Sequence, residues 1–301
     1  VKTVLVLLIG NRQLGDIDEY QLLQEKAALG DGNRLGINVE VVFAPGFDHL
    51  EVLRRRLAEK GSRPLDAVIT EPPSVAILEI ILRGLRGETG LVLLNAWSPS
   101  VEENAGAWGA FPFGTISTDH TQIGEIQGRQ ISQILPAPGN VLCVTGPQGS
   151  SAAQQRLAGT KSTVRPNIRL LETEGQQWTE TDGISAFNGW YGSFKMRSDV
   201  VSLVAGQSDE LAIGAQNAAK ALKNRAHRDM FSKARFVGVD ACPNYGKRLV
   251  DSGVLTASIL TPPNTGLAVE GLANFWRKGK PLPLRAYTEA TPYPPTSLRT
   301  A

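Results

Sequence analysis

The segment from Val200 to Leu222, VVSLVAGQSDELAIGAQNAAKAL, taken up again from Phe236 to Pro243 as FVGVDACP, decides how this chain is read. Val200–Ala205 is a short β-branched apolar run, Gly206–Glu210 is a polar turn, and Leu211–Leu222 is Ala-rich with apolar residues at helical spacing. Phe236–Val239 is a second buried run that stops at Asp240. Strand, helix and strand in that order form a right-handed parallel βαβ unit. Both strands then run the same way, so the residues that close them, Ser208, Asp209 and Asp240, fall on one edge of a sheet. In open α/β sheets ligands sit at that carboxyl edge.

The rhythm continues outward. Upstream lie a strand at Asn140–Thr145, a loop at Gly146–Ser151, a helix at Ala152–Val164, a strand at Ile168–Thr173, a loop carrying Trp178 and a helix near Thr181–Phe194. Downstream come a helix at Tyr245–Ser252, a strand at Thr256–Leu260, the break Pro262-Pro263, a helix at Thr265–Lys278 and a proline-rich tail that suits an edge or a linker. The first part alternates likewise. Strands at Val4–Ile9, Val39–Phe43, Ala67–Thr70 and Leu91–Leu94 enclose helices at Asp16–Leu29, Asp48–Lys60 and Val75–Leu85. In the first of these helices Tyr20, Leu23, Ala27 and Ala28 share a face. Four parallel strands with helices between them read as a complete small doubly wound lobe. Between Ala105 and Asp119 the alternation breaks, and Thr115–Ser117 is a short strand leaving that lobe. At 301 residues the chain exceeds what one core usually supports, so two lobes are expected.

Composition removes several functions. Lys and Arg number 31 against 29 Asp and Glu, with the signs interspersed, which is no footprint for nucleic acid. Arg54-Arg55-Arg56 beside Glu51 and Glu59 reads as a solvated helix face. Cys143 and Cys242 lack metal-site spacing and read as two buried free thiols. Gly146–Ser151 opens a helix after a strand, as a phosphate loop does, but carries no Lys. Gly206–Glu210 resembles a nucleophile elbow, with Glu210 where the second Gly is needed. His49, His120 and His227 do not cluster with other ligands or bases, and the acidic run Asp16–Glu19 suits the first turn of a helix. Catalytic residues, metal and cofactor are therefore not expected.

What remains is polar and aromatic residues at strand ends. Asn11, Glu71, Asn95 and Trp97 belong to the first half, and Gln154, Trp178, Ser208, Asp209 and Asp240 to the second. Planar polar groups that donate and accept in pairs, with an aromatic face for C–H surfaces, suit a neutral polyhydroxylated ligand.

In these features the chain resembles the sugar-binding branch of the periplasmic binding protein type I family, whose fold is shared by the effector domains of LacI-type repressors. The carrying segments are Ser117-Thr118-Asp119 before a helix with Gly124 and Gly128, Gly146–Gly159 with Arg156, Gln207–Ala215, Val237–Asp240 and Gly253–Gly266. The resemblance implies an α/β fold of two doubly wound parallel-sheet lobes joined by a three-strand hinge. It places residues 1–117 with 262–288 in one lobe and 118–261 with 289–301 in the other. It implies crossovers near Thr115–Asp119, Leu260–Pro263 and Tyr287–Thr291, with a ligand held between lobes.

Residue by residue, Trp178 matches an aromatic that stacks on sugar, Ser208 a polar contact and Asp240 a carboxylate that grips two hydroxyls. Thr261 stands where a Gln often sits at the hinge. Gln154 replaces an Arg that grips hydroxyls, Arg156 matches a more structural Arg, and Asn95 takes the place of an Asp. The function implied is an extracytoplasmic, monomeric solute-binding protein that takes a sugar or polyol and serves an ABC transporter membrane permease. The alternative is a ligand-sensing domain of a LacI-type regulator or a membrane sensor.

Overall fold

Strand β1 (Thr3–Ile9) is apolar from Val4 onward, and its inner five residues are fully buried, because both faces of its sheet are covered. Helix α1 (Glu19–Leu35), β2 (Asn38–Ala44), α2 (His49–Ala58), β3 (Ala67–Thr70), α3 (Val75–Leu85), β4 (Gly90–Leu94), α4 (Pro99–Asn104) and β5 (Phe113–Thr118) follow. The computed structural model describes residues 1–12, 17–59, 64–85, 87–194 and 200–298. By their contacts the residues divide into two compact units. Unit 1 is Val1–Thr118 with Pro263–Thr288, and unit 2 is Asp119–Pro262 with Glu289–Ala301.

Unit 1 holds a six-stranded parallel sheet in the order Arg285–Thr288, β5, β4, β3, β1, β2. Alternate residues of the strands feed two cores. Val4, Val6, Leu8 and Val92 pack on Ala28 of α1 and on Val269 and Leu272 of the helix Thr265–Lys278. Leu5, Leu7, Val68 and Leu93 pack on Leu53, Leu78, Leu82 and Trp108.

Three expectations change. The first lobe is not complete in four strands, since β5 and then Arg285–Thr288 cover the edge that β4 would leave open. Helix α1 runs on to Leu35 and stops at Gly36 in the left-handed region (φ 62°), and its buried stripe is Gln21, Gln24, Ala28 and Gly32. The expected start of that helix at Asp16 lies outside the described residues. Arg56 is not solvated: it is buried and forks onto Glu40 and Glu59, while Arg54 and Arg55 remain exposed.

Unit 2 comprises α5 (His120–Ile134), β6 (Gly139–Thr145), α6 (Ser151–Thr163), β7 (Ile168–Glu174), α7 (Glu180–Phe194), β8 (Val201–Gly206), α8 (Asp209–Lys220), α9 (Arg225–Lys233), β9 (Arg235–Val237), α10 (Gly246–Asp251) and β10 (Ser258–Leu260). Its parallel sheet has the order β7, β6, β8, β9. Single parallel bridges, Val237 to Ala257 and Asp240 to Leu260, attach β10 beside β9. The prolines of the tail fit this arrangement: Thr291–Tyr293 pairs antiparallel with β10, outside the main sheet. Both cysteines are buried thiols outside any disulfide among the described residues.

Helices α5 and α6 touch backbone to backbone. A Cβ on Gly124 would strike the carbonyl of Arg156, and one on Gly159 would strike that of Thr121. This contact sets the position of Arg156, which lies on the same stretch of α6. Gly124→Val and Gly159→Val are each expected to lower stability by about 3 kcal/mol or more in urea denaturation, because neither backbone can retreat without unpacking the helix pair.

Candidate functional site

Every strand of the unit 2 sheet delivers a loop to its carboxyl edge. After β6 the chain turns through Gly146 to Ser150, whose hydroxyl caps α6 by accepting from the Ala153 N–H. After β7 comes Trp178, half-buried, with its ring directly on Gly146, where a side chain would collide with it. After β8, Gln207 ties these loops together. Its amide accepts from the Gly146 N–H at 3.0 Å and donates to the Ala153 carbonyl at 3.0 Å. After β9 stands Asp240, and after β10 Thr261.

Arg156 joins them. Buried on α6, it donates through Nη1 to the Gln207 carbonyl and through Nε to Nδ1 of His120 at 3.4 Å. Its Nη2 lies 3.6 Å from Oδ1 of Asp240, and its guanidinium lies 5.2 Å from the centre of the Trp178 ring. Burial and the neighbouring guanidinium hold His120 neutral, its pKa well below the ordinary value.

Asp240 adopts φ 101° and Ala241 φ 41°, a left-handed turn that L-residues rarely take and that costs on the order of 1–3 kcal/mol per residue. The turn aims the carboxylate. Thr261 donates to Oδ1 at 3.1 Å, and Oδ2 accepts no hydrogen bond among the described residues. Burial raises the pKa of Asp240, while Arg156 and Thr261 oppose the shift without cancelling it.

Ser208 and Asp209 stand one layer deeper. Ser208 is 1% exposed and caps α8 by accepting from the Leu211 N–H, which leaves it in the floor. Asp209, also 1% exposed, accepts from the Ala241 N–H at 2.8 Å and from the Ser258 hydroxyl at 2.6 Å. A side chain at Gly238 or Gly246 would collide with its carboxylate. Asp209 thus fastens the turn that presents Asp240 to β10. Burial first, then the charge of Asp240, pushes its pKa well above the usual carboxylate range. Gln154 is exposed and donates to the Gln148 carbonyl at 2.7 Å, apart from the Arg156 cluster in its hydrogen bonding.

In unit 1 the strand-end residues form a neutral-rich network. Asn95, buried at φ 50°, donates to Glu71 Oε1 at 3.1 Å and accepts from Asn264 at 2.7 Å. Gln21 donates to Glu71 Oε2 at 2.7 Å, and Gln24 accepts from the backbone N–H groups of Asn264 and Thr265. Asn11 lies half-buried two residues past β1, and the ring of Trp97 is covered by the guanidinium of Arg285.

The family model for a periplasmic binding protein domain matches residues 109–270, more than half the chain. The chain belongs to the periplasmic binding protein family. Among curated relatives it is 20% identical to a galactofuranose-binding protein of Escherichia coli K12, over 97% of this chain and 89% of that one. Among solved structures it resembles a periplasmic solute-binding protein of Actinobacillus succinogenes with bound D-allose (TM-score 0.79, 17% identity, 99% of each chain). It also resembles the fructose-binding periplasmic domain of a hybrid two-component system (TM-score 0.78, 20% identity, 97% of this chain and 90% of that one). The fold is therefore that of the type I binding proteins, two βαβ-built units with parallel sheets. Periplasmic binding proteins of this kind among the relatives are named for the sugars they bind.

Sequence reasoning passed over Gln21, Gln24, Asn264, Gln207 and His120, and gave Arg156 a structural place only. The glutamines left one signal, polar residues three apart on the helix face expected to be apolar.

The two aspartates are separable by pH and mutation. A carboxyl group whose folded pKa is raised adds most stability below its unfolded pKa and loses that contribution as pH rises through the folded value. Asp240→Asn is therefore expected to match the wild type near pH 4 and to become relatively more stable as pH rises to 8, as read by urea denaturation. Asp209→Ala is expected to destabilise by about 1–3 kcal/mol near pH 4, because it strips acceptors from a buried N–H and hydroxyl, with the loss shrinking as pH rises because the Asp209 pKa is raised as well.

Proposed function

We propose that this chain is an extracytoplasmic solute-binding protein of an ABC importer, and that it takes a neutral sugar or sugar-like polyol. The observation that carries the reading is the set Trp178, Arg156, Asp240 and Thr261 at the carboxyl edge of unit 2, with Oδ2 of Asp240 left without a hydrogen bond among the described residues. A sugar hydroxyl donates to such an oxygen, and a half-buried indole covers the apolar face of a sugar ring. At the carboxyl edge of unit 1, Asn11, Glu71, Asn95 and Trp97 are the residues assigned to ligand contact. Ser208, Asp209 and Thr261 support Asp240 in this assignment, and Gln154 serves the rim.

The importer role rests on the family and on the relatives' names. Its corollaries are a monomer, a membrane permease as partner and an extracytoplasmic location; catalysis has no part in it. The likeness to a sensor's periplasmic domain supports one second reading, a ligand-sensing module of a membrane protein. Localisation of the native gene product, free or fused to a kinase, decides between the two.

The ligand class is tested by a thermal-shift panel of pentoses, hexoses, polyols and nucleosides. A true ligand at 100 times its Kd adds about 2.7 kcal/mol of stability. If no sugar or polyol shifts the transition, the carbohydrate reading is wrong. With the ligand in hand, calorimetry is expected to show Asp240→Ala and Trp178→Ala each weakening affinity by more than about tenfold, roughly 1.4 kcal/mol, with the fold retained. Unchanged affinity in both would remove the site assignment.

A further inference from the structure

The opposite, amino edge of the unit 2 sheet carries a second concavity, of about 500 Å³, where α8 ends, β9 begins and the chain approaches β10. Its volume falls in the range of small-molecule sites. Lys220, Arg228 and Arg235 line it with Asp229 as the one carboxylate, over Phe231 and Phe236, which are nearly fully buried.

The positive charge is largely uncommitted. Arg235 is exposed and has no hydrogen-bond or ionic partner among the described residues. Arg228 uses only Nη1, on the Leu222 carbonyl at 2.9 Å, and Lys220 meets the neutral Gln216 amide at 2.7 Å. The carboxylate of Asp229 lies 3.7 Å from the guanidinium of Arg225, so it is partly offset from outside the groove. Helices α8 and α10 end nearby, and their carbonyl ends contribute roughly half a negative charge each. Three full cations outweigh two half-charges and one paired carboxylate, so the groove is net positive.

The walls are built as well as charged. Gln216 donates to the Val254 carbonyl at 3.1 Å, bracing α8 against the segment before β10. Gly253, at φ 75°, faces open space where a side chain would stand, which keeps that side of the groove clear.

We propose that this groove is a second small-molecule site, for an organic anion that carries a carboxylate or phosphate group on an apolar body. Its chemistry is the reverse of the neutral-ligand edge at Asp240, and it does not depend on the sugar reading. A concavity of this size with an aromatic floor suits a compact ligand more than an extended acidic segment.

The test is amide-resolved NMR of the full chain with phenyl phosphate as probe, with benzyl alcohol and sodium chloride at matched ionic strength as controls. Saturable shifts are expected at Lys220, Arg235 and Gly253 to Thr256 with phenyl phosphate and not with either control. Arg235→Ala, at an exposed position that leaves the fold intact, is expected to weaken the probe by at least about fivefold, the loss of one charge-assisted contact. Shifts that scatter over the surface, that track salt alone, that appear equally with benzyl alcohol, or that persist unchanged in Arg235→Ala would overturn the proposal.

Discussion

One buried cation serves two buried carboxylates in unit 2, and the carboxyl edge of that unit is arranged around the imbalance. Moving an ionised carboxylate out of water costs several kcal/mol even after relaxation, and an ion pair repays this only with good geometry and further hydrogen bonds. Asp209 gathers a backbone N–H, a hydroxyl and a pair of glycines that leave room for it, and its pKa still stands well above the usual carboxylate range. Asp240 gathers fewer hydrogen bonds. It has one hydroxyl, a guanidinium at 3.6 Å and a strained backbone. Hydrogen bonds are thus concentrated on the inner aspartate and withheld from the outer one, a pattern expected where a side chain is reserved for a ligand.

The carboxyl edge of unit 1 solves the same problem with amides. Gln21, Glu71, Asn95, Asn264 and Gln24 form a chain of hydrogen bonds, although Oε1 of Gln21 and Nε2 of Gln24 are buried with no partner among the described residues. Such a network is rigid when complete, and its cost lies in lost partners more than in burying net charge. Asn95 sits at its centre in a left-handed conformation that Asn tolerates better than most residues.

The βαβ order, the strand ends and the helix caps were legible because they depend on local pattern: apolar runs, Ser and Asp before helices, Pro after strands. The closing edge of the unit 1 sheet was not: β5 reads in sequence as a short strand leaving the lobe, and its pairing with Arg285–Thr288 joins segments far apart in sequence. The solvated reading of Arg56 failed for a related reason. Its partner Glu40 lies on another element, and no spacing along α2 announces it. At the candidate site, Asp240 and Trp178 are assigned from position, whereas the separation of Asp209 from Asp240 is not readable there. Both close strands of the same βαβ unit, and only the turn at Asp240–Ala241 places one behind the other.

The charge arrangement also argues which ligand suits Asp240. Opposite or like unit charges about 4 Å apart at an effective dielectric near 20 interact by about 4 kcal/mol. An anion at Oδ2 meets that repulsion, and the attraction of Arg156 is already committed to Oδ1. A cation there would be drawn in, yet it would bring a second positive charge close to a guanidinium that is itself buried. A neutral hydroxyl avoids both penalties and supplies the donor that Oδ2 lacks. Its hydrogen bond to the charged oxygen contributes on the order of 1.5–3 kcal/mol net. A few such bonds and one stacked ring are enough to reach the roughly −8 kcal/mol of a micromolar complex without making release slow.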